Sequence, residues 1–232
     1  MKECTMIGTK LCGITSPATI PCINVCMPTY VGFMFYRQSK RFIPQDTAQA
    51  LKAQLNPHIT CVGVFVNAEP NTVAQALERG VCDVAQLHGT EDNAYIRALT
   101  RLTNKPIIQA FCVKDENTIL RANNSIAPMV LLDAGGGSGT CFDWRLLCNV
   151  RRPYILAGGL APHNVYQALC TASSYRAPIA VDVSSGIETN GVKDATKITA
   201  FMHEVARFNH EHTHVHTGGH VETHVNACAD EH

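Results

Sequence analysis

The sequence has no long apolar run and no excess of charge of either sign. No apolar stretch approaches the ~18 residues that a membrane-spanning helix needs, and no hydrophobic core that would indicate a secretion signal follows Met1. The 19 basic and 19 acidic residues cancel, whereas nucleic acids and anionic membranes are bound by basic surfaces. We therefore expect a cytoplasmic protein that binds neither nucleic acid nor membrane and recognises its ligand at a local site.

The eleven cysteines include no C-x-x-C pair. Several of them lie inside apolar runs, where a reduced thiol behaves as a small hydrophobic side chain, so we interpret them as free thiols. Cys22 and Cys26 have a C-x3-C spacing, but no second pair completes a zinc site around them. We expect no metal and no cofactor in the folded domain.

The 232 residues, 46% of them hydrophobic, are enough for one well-filled core. Short apolar runs alternate with helical patterns along the chain, which predicts an α/β protein and, with eight such units, a (β/α)8 TIM barrel. A doubly wound open sheet is the alternative, but no GxGxxG follows the first strand. The predicted strands cover 10–15, 30–36, 60–66, 84–89, 106–111, 129–134, 154–157 and 180–183.

Helical segments follow the predicted strands, among them a sixth helix and a last helix. Phe142 and Trp144 are expected to open the sixth helix, and the last helix is expected over 195–208. Beyond it the composition changes, because seven histidines fall among residues with few large apolar side chains. We therefore divide the chain into a barrel domain (1–208) and a disordered His-rich tail (209–232), whose removal should not affect the barrel.

The tail gives the chain a second hypothetical activity. Histidines at 210, 212, 214 and 216 alternate with other residues, which would place four imidazoles on one face of an extended chain. Imidazole is a ligand of zinc and nickel, so divalent-metal binding by the tail is a hypothesis beside a plain solvated extension.

Two loops near the end of the predicted barrel domain are rich in glycine and serine. Gly158 and Gly159 follow the seventh strand, and Ser184, Ser185 and Gly186 follow the eighth. Glycine allows the backbone to approach a ligand closely, and serine adds a hydroxyl donor. Barrels of this class bind phosphate at these two loops, so we expect a phosphorylated small-molecule ligand there.

Polar residues close several predicted strands or follow them in loops. They are Cys12, Arg41, His88, Asp133 and Asp182. Each alone has a structural explanation, such as a buried thiol, a core imidazole or a loop cap. Because the carboxyl ends of barrel strands meet at one face, we expect all five to converge on one pocket beside the phosphate loops.

These segments together resemble the phosphoribosylanthranilate isomerase family of tryptophan biosynthesis over about residues 10–208. The motifs that carry the resemblance are KLCGIT (10–15), GFMFY (32–36) with SKRF (39–42), VGVFVN (62–67), QLHG (86–89), LD (132–133) with GSGTCFDW (137–144), AGGL (157–160), DVSSG (182–186) and GVKD (191–194). The resemblance implies an Amadori rearrangement without cofactor or metal.

The resemblance also implies a role for each candidate residue. Asp133 would be the acid that opens the ribose ring, and Cys12 the base that removes the C2′ proton. Arg41 would bind the anthranilate carboxylate, with Arg37 or Lys40 as substitutes. His88 would line the pocket and orient substrate or acid, and Asp182 would bind sugar or amine groups. The glycine and serine loops would hold the phosphate, through Gly158, Gly159, Ser184, Ser185 and Gly186.

Two alternatives remain at this point. Another phosphosugar isomerase or epimerase barrel would share the phosphate loops, but such sites need a metal or paired carboxylates, whereas these strand ends offer a cysteine and an aspartate. A metal-storing or metal-sensing protein would act through the His-rich tail.

Overall fold

The computed structural model describes residues 6–134 and 142–213, and eight parallel strands in it close into a barrel. The strands are β1 (Gly8–Cys12), β2 (Tyr30–Met34), β3 (Thr60–Phe65), β4 (Val84–Leu87), β5 (Ile107–Cys112), β6 (Met129–Asp133), β7 (Tyr154–Leu156) and β8 (Ala180–Val183). Each strand pairs with its neighbour in chain order, and β8 pairs with β1. The predicted barrel is confirmed, and the open sheet is excluded.

Seven α-helices lie within the described residues. They are α1 (Ile20–Cys26), α2 (Gln45–Lys52), α3 (Pro70–Glu78), α4 (Asn93–Thr100), α5 (Glu116–Asn123), α6 (Val165–Tyr175) and α7 (Ala195–Thr213). Local sequence explains where several begin: the side chains of Asp92 and Asp115 cap α4 and α5, and Pro70 occupies the first turn of α3. No helix of the described ranges is long and apolar enough to cross a membrane.

The predicted sixth helix is wrong. Between β6 and β7 the described chain forms only a 3₁₀ turn, Trp144–Asn149, which the Asp143 side chain caps. Leu147 is the only fully buried residue in that turn, and Trp144 and Leu146 are partly buried beside it, so a single short turn is what packs against the barrel.

The predicted end of the last helix is also wrong, because α7 continues five residues past Phe208 to Thr213. Asn209 is buried there and its amide pairs with both backbone groups of Ile7, at 2.9 and 3.0 Å. His210 and His212 are therefore helical. Residues two apart on a helix point about 200° away from each other, so the expected common face of imidazoles does not include these two. Residues 214–232 of the predicted tail lie outside the described ranges.

A short antiparallel hairpin follows β8 and was not predicted. Its strands are β9 (Glu188–Thr189) and β10 (Val192–Lys193), and Asn190 and Gly191 between them both have positive φ, 51° and 79°. An Asn-Gly pair is the sequence signal of such a turn, so this element could have been found.

Apolar side chains fill much of the barrel interior, and buried polar side chains join them toward its carboxyl end. The apolar cluster takes Val62, Val84, Ile108, Leu131, Ile155 and Ala180 from β3 to β8. Side chains alternate along a strand, so Gln86 and Asp182, two positions after Val84 and Ala180, continue the inner face as buried polar groups. The carboxyl end of the barrel is consequently lined by side chains that can do chemistry.

Candidate active site

The thiol of Cys12 lies beside a buried ion pair. Lys10 has no exposed surface and donates from Nζ to Asp182 Oδ1 at 2.9 Å. Gly32 on the neighbouring strand makes room for this arrangement, since a Cβ there would lie 2.7 Å from Cys12 Sγ and 3.2 Å from Lys10 Nζ. The predicted residues Cys12 and Asp182 are thus brought together by a lysine that sequence reasoning missed.

Burial and charge act on the Cys12 thiol in opposite directions. Burial raises the pKa of Cys12 above its ordinary value, and the positive charge of Lys10 opposes that rise. Burial alone would lower the pKa of Lys10, but Asp182 and Cys12 raise it above the ordinary value, so the amine stays charged. The resting site holds a neutral thiol next to a fixed cation that can stabilise a thiolate.

A second pair of predicted residues meets at the ends of β4 and β6. His88 Nε2 lies 3.3 Å from Asp133 Oδ2. The side-chain amide of Gln86 donates to His88 Nδ1 at 2.9 Å, which leaves the proton of a neutral imidazole on Nε2, pointing at the carboxylate. His88 can therefore hold Asp133 in one orientation through an N–H donor.

The loop after β7 packs directly on Asp133. Gly158 has φ +93°, and a Cβ there would lie 2.9 Å from Asp133 Oδ1 and collide with the Ala134 amide. Gly159 also has positive φ, 64°. The Asn164 side chain braces the loop, accepting from Ala161 N at 2.8 Å and donating to Gly159 O at 2.9 Å. Glycine is required here because the backbone passes so close to the carboxylate.

The loops after β7 and β8 touch, as a shared phosphate site requires. A Cβ on Gly186 would collide with the Leu160 carbonyl. Ser185–Ile187 forms a 3₁₀ turn, whose first N–H groups have no partner within the turn and can face an anion. The Ser184 hydroxyl instead donates to the Cys12 carbonyl at 3.1 Å, so it fastens the loop to β1.

Arg41 reaches the same end of the barrel but is already paired. Its Nε and Nη2 donate to Glu188 Oε1 and Oε2 at 2.6 and 2.8 Å, and Lys193 Nζ donates to Glu188 Oε1 at 2.6 Å. The hydrogen bond to Glu188 raises the pKa of Arg41. Arg37 and Lys40, the substitutes considered from sequence, are exposed, whereas Arg41 is half-buried.

Sequence reasoning missed Lys10, Glu188 and the ion pairs of Lys193. The period of two along a strand places Lys10 on the same side as Cys12, so Lys10 could have been identified. Glu188 lies in the unpredicted hairpin and contacts a residue 147 positions away, which no local pattern indicates.

The described residues contain no cluster of three or more histidine, cysteine or acidic side chains that could hold a metal ion. The Cys22 and Cys26 sulfurs each lie 3.9 Å from the Thr199 hydroxyl, which is a poor ligand for zinc.

Comparison with known proteins gives one consistent family. The model of the N-(5'phosphoribosyl)anthranilate (PRA) isomerase family matches residues 9–204. An N-(5'-phosphoribosyl)anthranilate isomerase from Endomicrobium trichonymphae is 39% identical over 194 residues, covering 82% of this chain and 93% of the relative. Another, from Paracoccus denitrificans, is 37% identical over 209 residues, covering 84% of this chain and 95% of the relative.

Solved structures of the same family are similar to this chain in fold. The phosphoribosyl anthranilate isomerase of Thermus thermophilus superposes with a TM-score of 0.77 at 32% identity, covering 87% of this chain and 99% of that one. A second isomerase structure, in complex with reduced 1-(o-carboxyphenylamino)-1-deoxyribulose 5-phosphate, superposes with a TM-score of 0.74 at 32% identity, covering 87% of this chain and 100% of that one.

Proposed function

The chain belongs to the N-(5'-phosphoribosyl)anthranilate isomerase family and is an isomerase of tryptophan biosynthesis, and from this premise we propose that Cys12 and Asp133 carry its two proton transfers. The reaction is the Amadori rearrangement of N-(5'-phosphoribosyl)anthranilate to 1-(2-carboxyphenylamino)-1-deoxyribulose 5-phosphate. The observation that carries the assignment is the placement of a thiol beside a buried cation and of a histidine-held carboxylate at one end of the barrel, next to two glycine loops. Membership of this family sets aside other phosphosugar isomerases and epimerases.

Asp133 acts first, as the acid. In its protonated form it gives its proton to the furanose ring oxygen while the C1′–O bond breaks, and the nitrogen lone pair forms an iminium at C1′. His88 orients the carboxyl group through Nε2, and the backbone of Gly158 packs closely against it.

Cys12 acts second, as the base. Its thiolate removes the C2′ proton, and the electrons of that C–H bond form the C1′–C2′ double bond while the iminium nitrogen is neutralised. The resulting enol then becomes the ketone of the product. Lys10 supports this step because its charge favours the thiolate in a site where burial disfavours it.

The remaining predicted residues bind the two ends of the substrate. The backbone of Gly158, Gly159, Ser185 and Gly186 would receive the phosphate, with Ser184 holding the loop in place. Arg41 would bind the anthranilate carboxylate, for which a planar guanidinium is suited. Asp182 balances Lys10, and its contact with sugar or amine groups of the substrate remains a prediction.

A fluorescence assay that follows the loss of phosphoribosylanthranilate made in situ tests the proposal. Cys12→Ser and Asp133→Asn keep the side-chain shapes but lack a usable base and a proton donor, so turnover should fall by roughly 10²-fold or more in each. Both should still bind a reduced product analogue in calorimetry. Cys148→Ser, exposed in the 3₁₀ turn 144–149, and Asp46→Asn, on the surface of α2, serve as matched controls. Near-normal turnover in either site variant would remove that residue from its role.

Two further expectations stay proposals. The histidines beyond Thr213, at 214, 216, 220, 224 and 232, support divalent-metal binding by their spacing alone. A cytoplasmic location likewise remains a prediction.

A further inference from the structure

We propose that Glu188 is a positioning residue for substrate recognition: it holds one edge of the Arg41 guanidinium so that the other edge faces the anthranilate carboxylate. Through Lys193 it also ties Arg41 to the loop after β8. This inference rests on the proposed function, and it adds to it a residue that does not touch the reacting atoms.

The Arg41 guanidinium has two edges that can each bind a carboxylate. Glu188 accepts from Nε and from one N–H of Nη2, which is the side-on edge of the group. One N–H of Nη1 and the second N–H of Nη2 form the end-on edge, and a second carboxylate can bind both of them in the same plane. The Arg41 stem crosses Gly13, where a Cβ would collide with Arg41 Cδ and where φ is +77°. The side chain is thus fixed at both its stem and its head.

Arg41, Lys193 and Glu188 together form a cluster with a net positive charge. Arg41 and Lys193 share one carboxylate, so this cluster has one positive charge left over. Burial would raise the pKa of Glu188, but hydrogen bonds from Arg41 and Lys193 hold it below its ordinary value, so Glu188 stays ionised. The Lys193 side chain is only 3% exposed and that of Glu188 only 9%. A substrate carboxylate would complete the charge balance in a site where solvent screens little.

The β9–β10 hairpin places Glu188 and Lys193 directly opposite each other as a cross-strand pair. Lys193 also donates to the Ser184 carbonyl at 2.9 Å, and Lys197 of α7 donates to the Glu188 carbonyl at 2.6 Å. The carboxylate end of the substrate site is therefore joined to the phosphate end by a continuous series of short polar contacts.

Kinetics with two substrates test the proposal. Glu188→Gln places an amide N–H₂ against an N–H of Arg41, so the guanidinium loses its alignment. KM for phosphoribosylanthranilate should rise by roughly tenfold to a hundredfold, with a smaller change in kcat. For the phosphoribosyl aniline analogue, which lacks the carboxylate, KM should not change. In an Arg41→Ala background, Glu188→Gln should have little further effect on KM, since both act on one contact.

Glu204→Gln is the matched control, because Glu204 pairs with Arg207 on α7, away from the site. Thermal unfolding identifies a variant that is misfolded, and Glu188→Asp then replaces it: its shorter stem cannot reach both nitrogens, so the same rise in KM is expected. An unchanged KM, an equal loss on both substrates, or an undiminished effect in the Arg41→Ala background would overturn the role of Glu188. Absence of isomerase activity in the unaltered protein would instead refute the proposed function.

Discussion

At the scale of single residues, Lys10 is a charged side chain with no exposed surface. Its charge acts on both Asp182 and Cys12. A buried ammonium is tolerated only when a counter-charge and hydrogen bonds replace its water, which Asp182 does at 2.9 Å. Lys10 faces Cys12 as well, so one buried charge serves both the stability of the barrel and the ionisation of the proposed base. These two consequences can be measured separately.

We expect Lys10→Met to lower the free energy of unfolding by about 3–5 kcal/mol at neutral pH, because it leaves Asp182 buried without its partner. The folded-state pKa of Lys10 is raised, so the stabilisation by its charge is fully present below the ordinary lysine pKa of about 10.4 and is lost as pH rises through the folded value. Urea denaturation measures the free energy of unfolding of the unaltered protein and of Lys10→Met. The difference between the two values should be smaller at strongly alkaline pH than at neutral pH.

The same variant should change the pH dependence of catalysis. Burial raises the pKa of Cys12 and Lys10 opposes the rise, so removing Lys10 raises that pKa further. Because the thiolate is the proposed base, the ascending limb of kcat/KM against pH should move to higher pH. Lys105→Met, which is exposed at the opposite end of β5, is the control. A limb that stays in place would mean that Lys10 has no influence on the base.

Individual site residues could be predicted where a strand pattern placed them. The placement of Cys12, Asp133 and Asp182 at the carboxyl end of the barrel was predicted because they close apolar runs, and a barrel directs such ends to one face. Glu188 could not be found in this way, because its position depends on a contact with a distant part of the chain. Ser184 shows a finer limit: its place in the loop was predicted, but the use of its hydroxyl on the Cys12 carbonyl is a tertiary detail.

At the scale of elements, α7 does more than cover the barrel. Asn209 accepts from Ile7 N and donates to Ile7 O, so the last helix holds the segment that leads into β1. Around it, Arg207 stacks 3.9 Å over the Tyr166 ring, and His212 stacks on Phe208 with ring centroids 4.0 Å apart. The helix end is a packed part of the domain.

We therefore expect truncation after Phe208 to destabilise the protein, and truncation after Thr213 to leave residues 6–213 as stable as in the full chain. Loss of Asn209 leaves the buried Ile7 backbone groups unpaired, which should lower the free energy of unfolding by about 1–3 kcal/mol. Denaturant unfolding of the two truncated chains measures the difference. Asn209→Ala in the full chain should reproduce most of it, and equal stability of the two truncations would contradict this role.

Elements with continuous apolar runs were predicted well, because a strand buried on both faces has few alternatives. The sixth helix was not: Phe142 and Trp144 were expected to open it, but in the turn that forms there only Leu147 is fully buried. The end of the last helix was wrongly predicted at Phe208 for a related reason. Local composition turns polar at Asn209, and only the distant Ile7 backbone makes an asparagine favourable there.

At the scale of the whole molecule, the proposed chemistry uses no metal. A chelator such as EDTA should therefore leave isomerase activity unchanged. Any binding of zinc or nickel should disappear on truncation after Thr213 and should weaken as pH falls below about 6.5, where imidazole becomes protonated. Activity assays and metal titration of the two chains, in parallel, check both statements. Loss of activity with EDTA would show that the mechanism through Cys12 and Asp133 is incomplete.

The pairing of β1 with β8 determines when a newly made chain can become an enzyme. Lys10 and Asp182 lie 172 positions apart. The ion pair beside the Cys12 thiol therefore cannot form until nearly the whole barrel has been synthesised. Contacts this distant in sequence are slow to form, and until they form the edges of the first and last strands are exposed to other chains. The pairing that removes the last open strand edge is therefore also the one that brings Asp182 to Lys10 beside the proposed base.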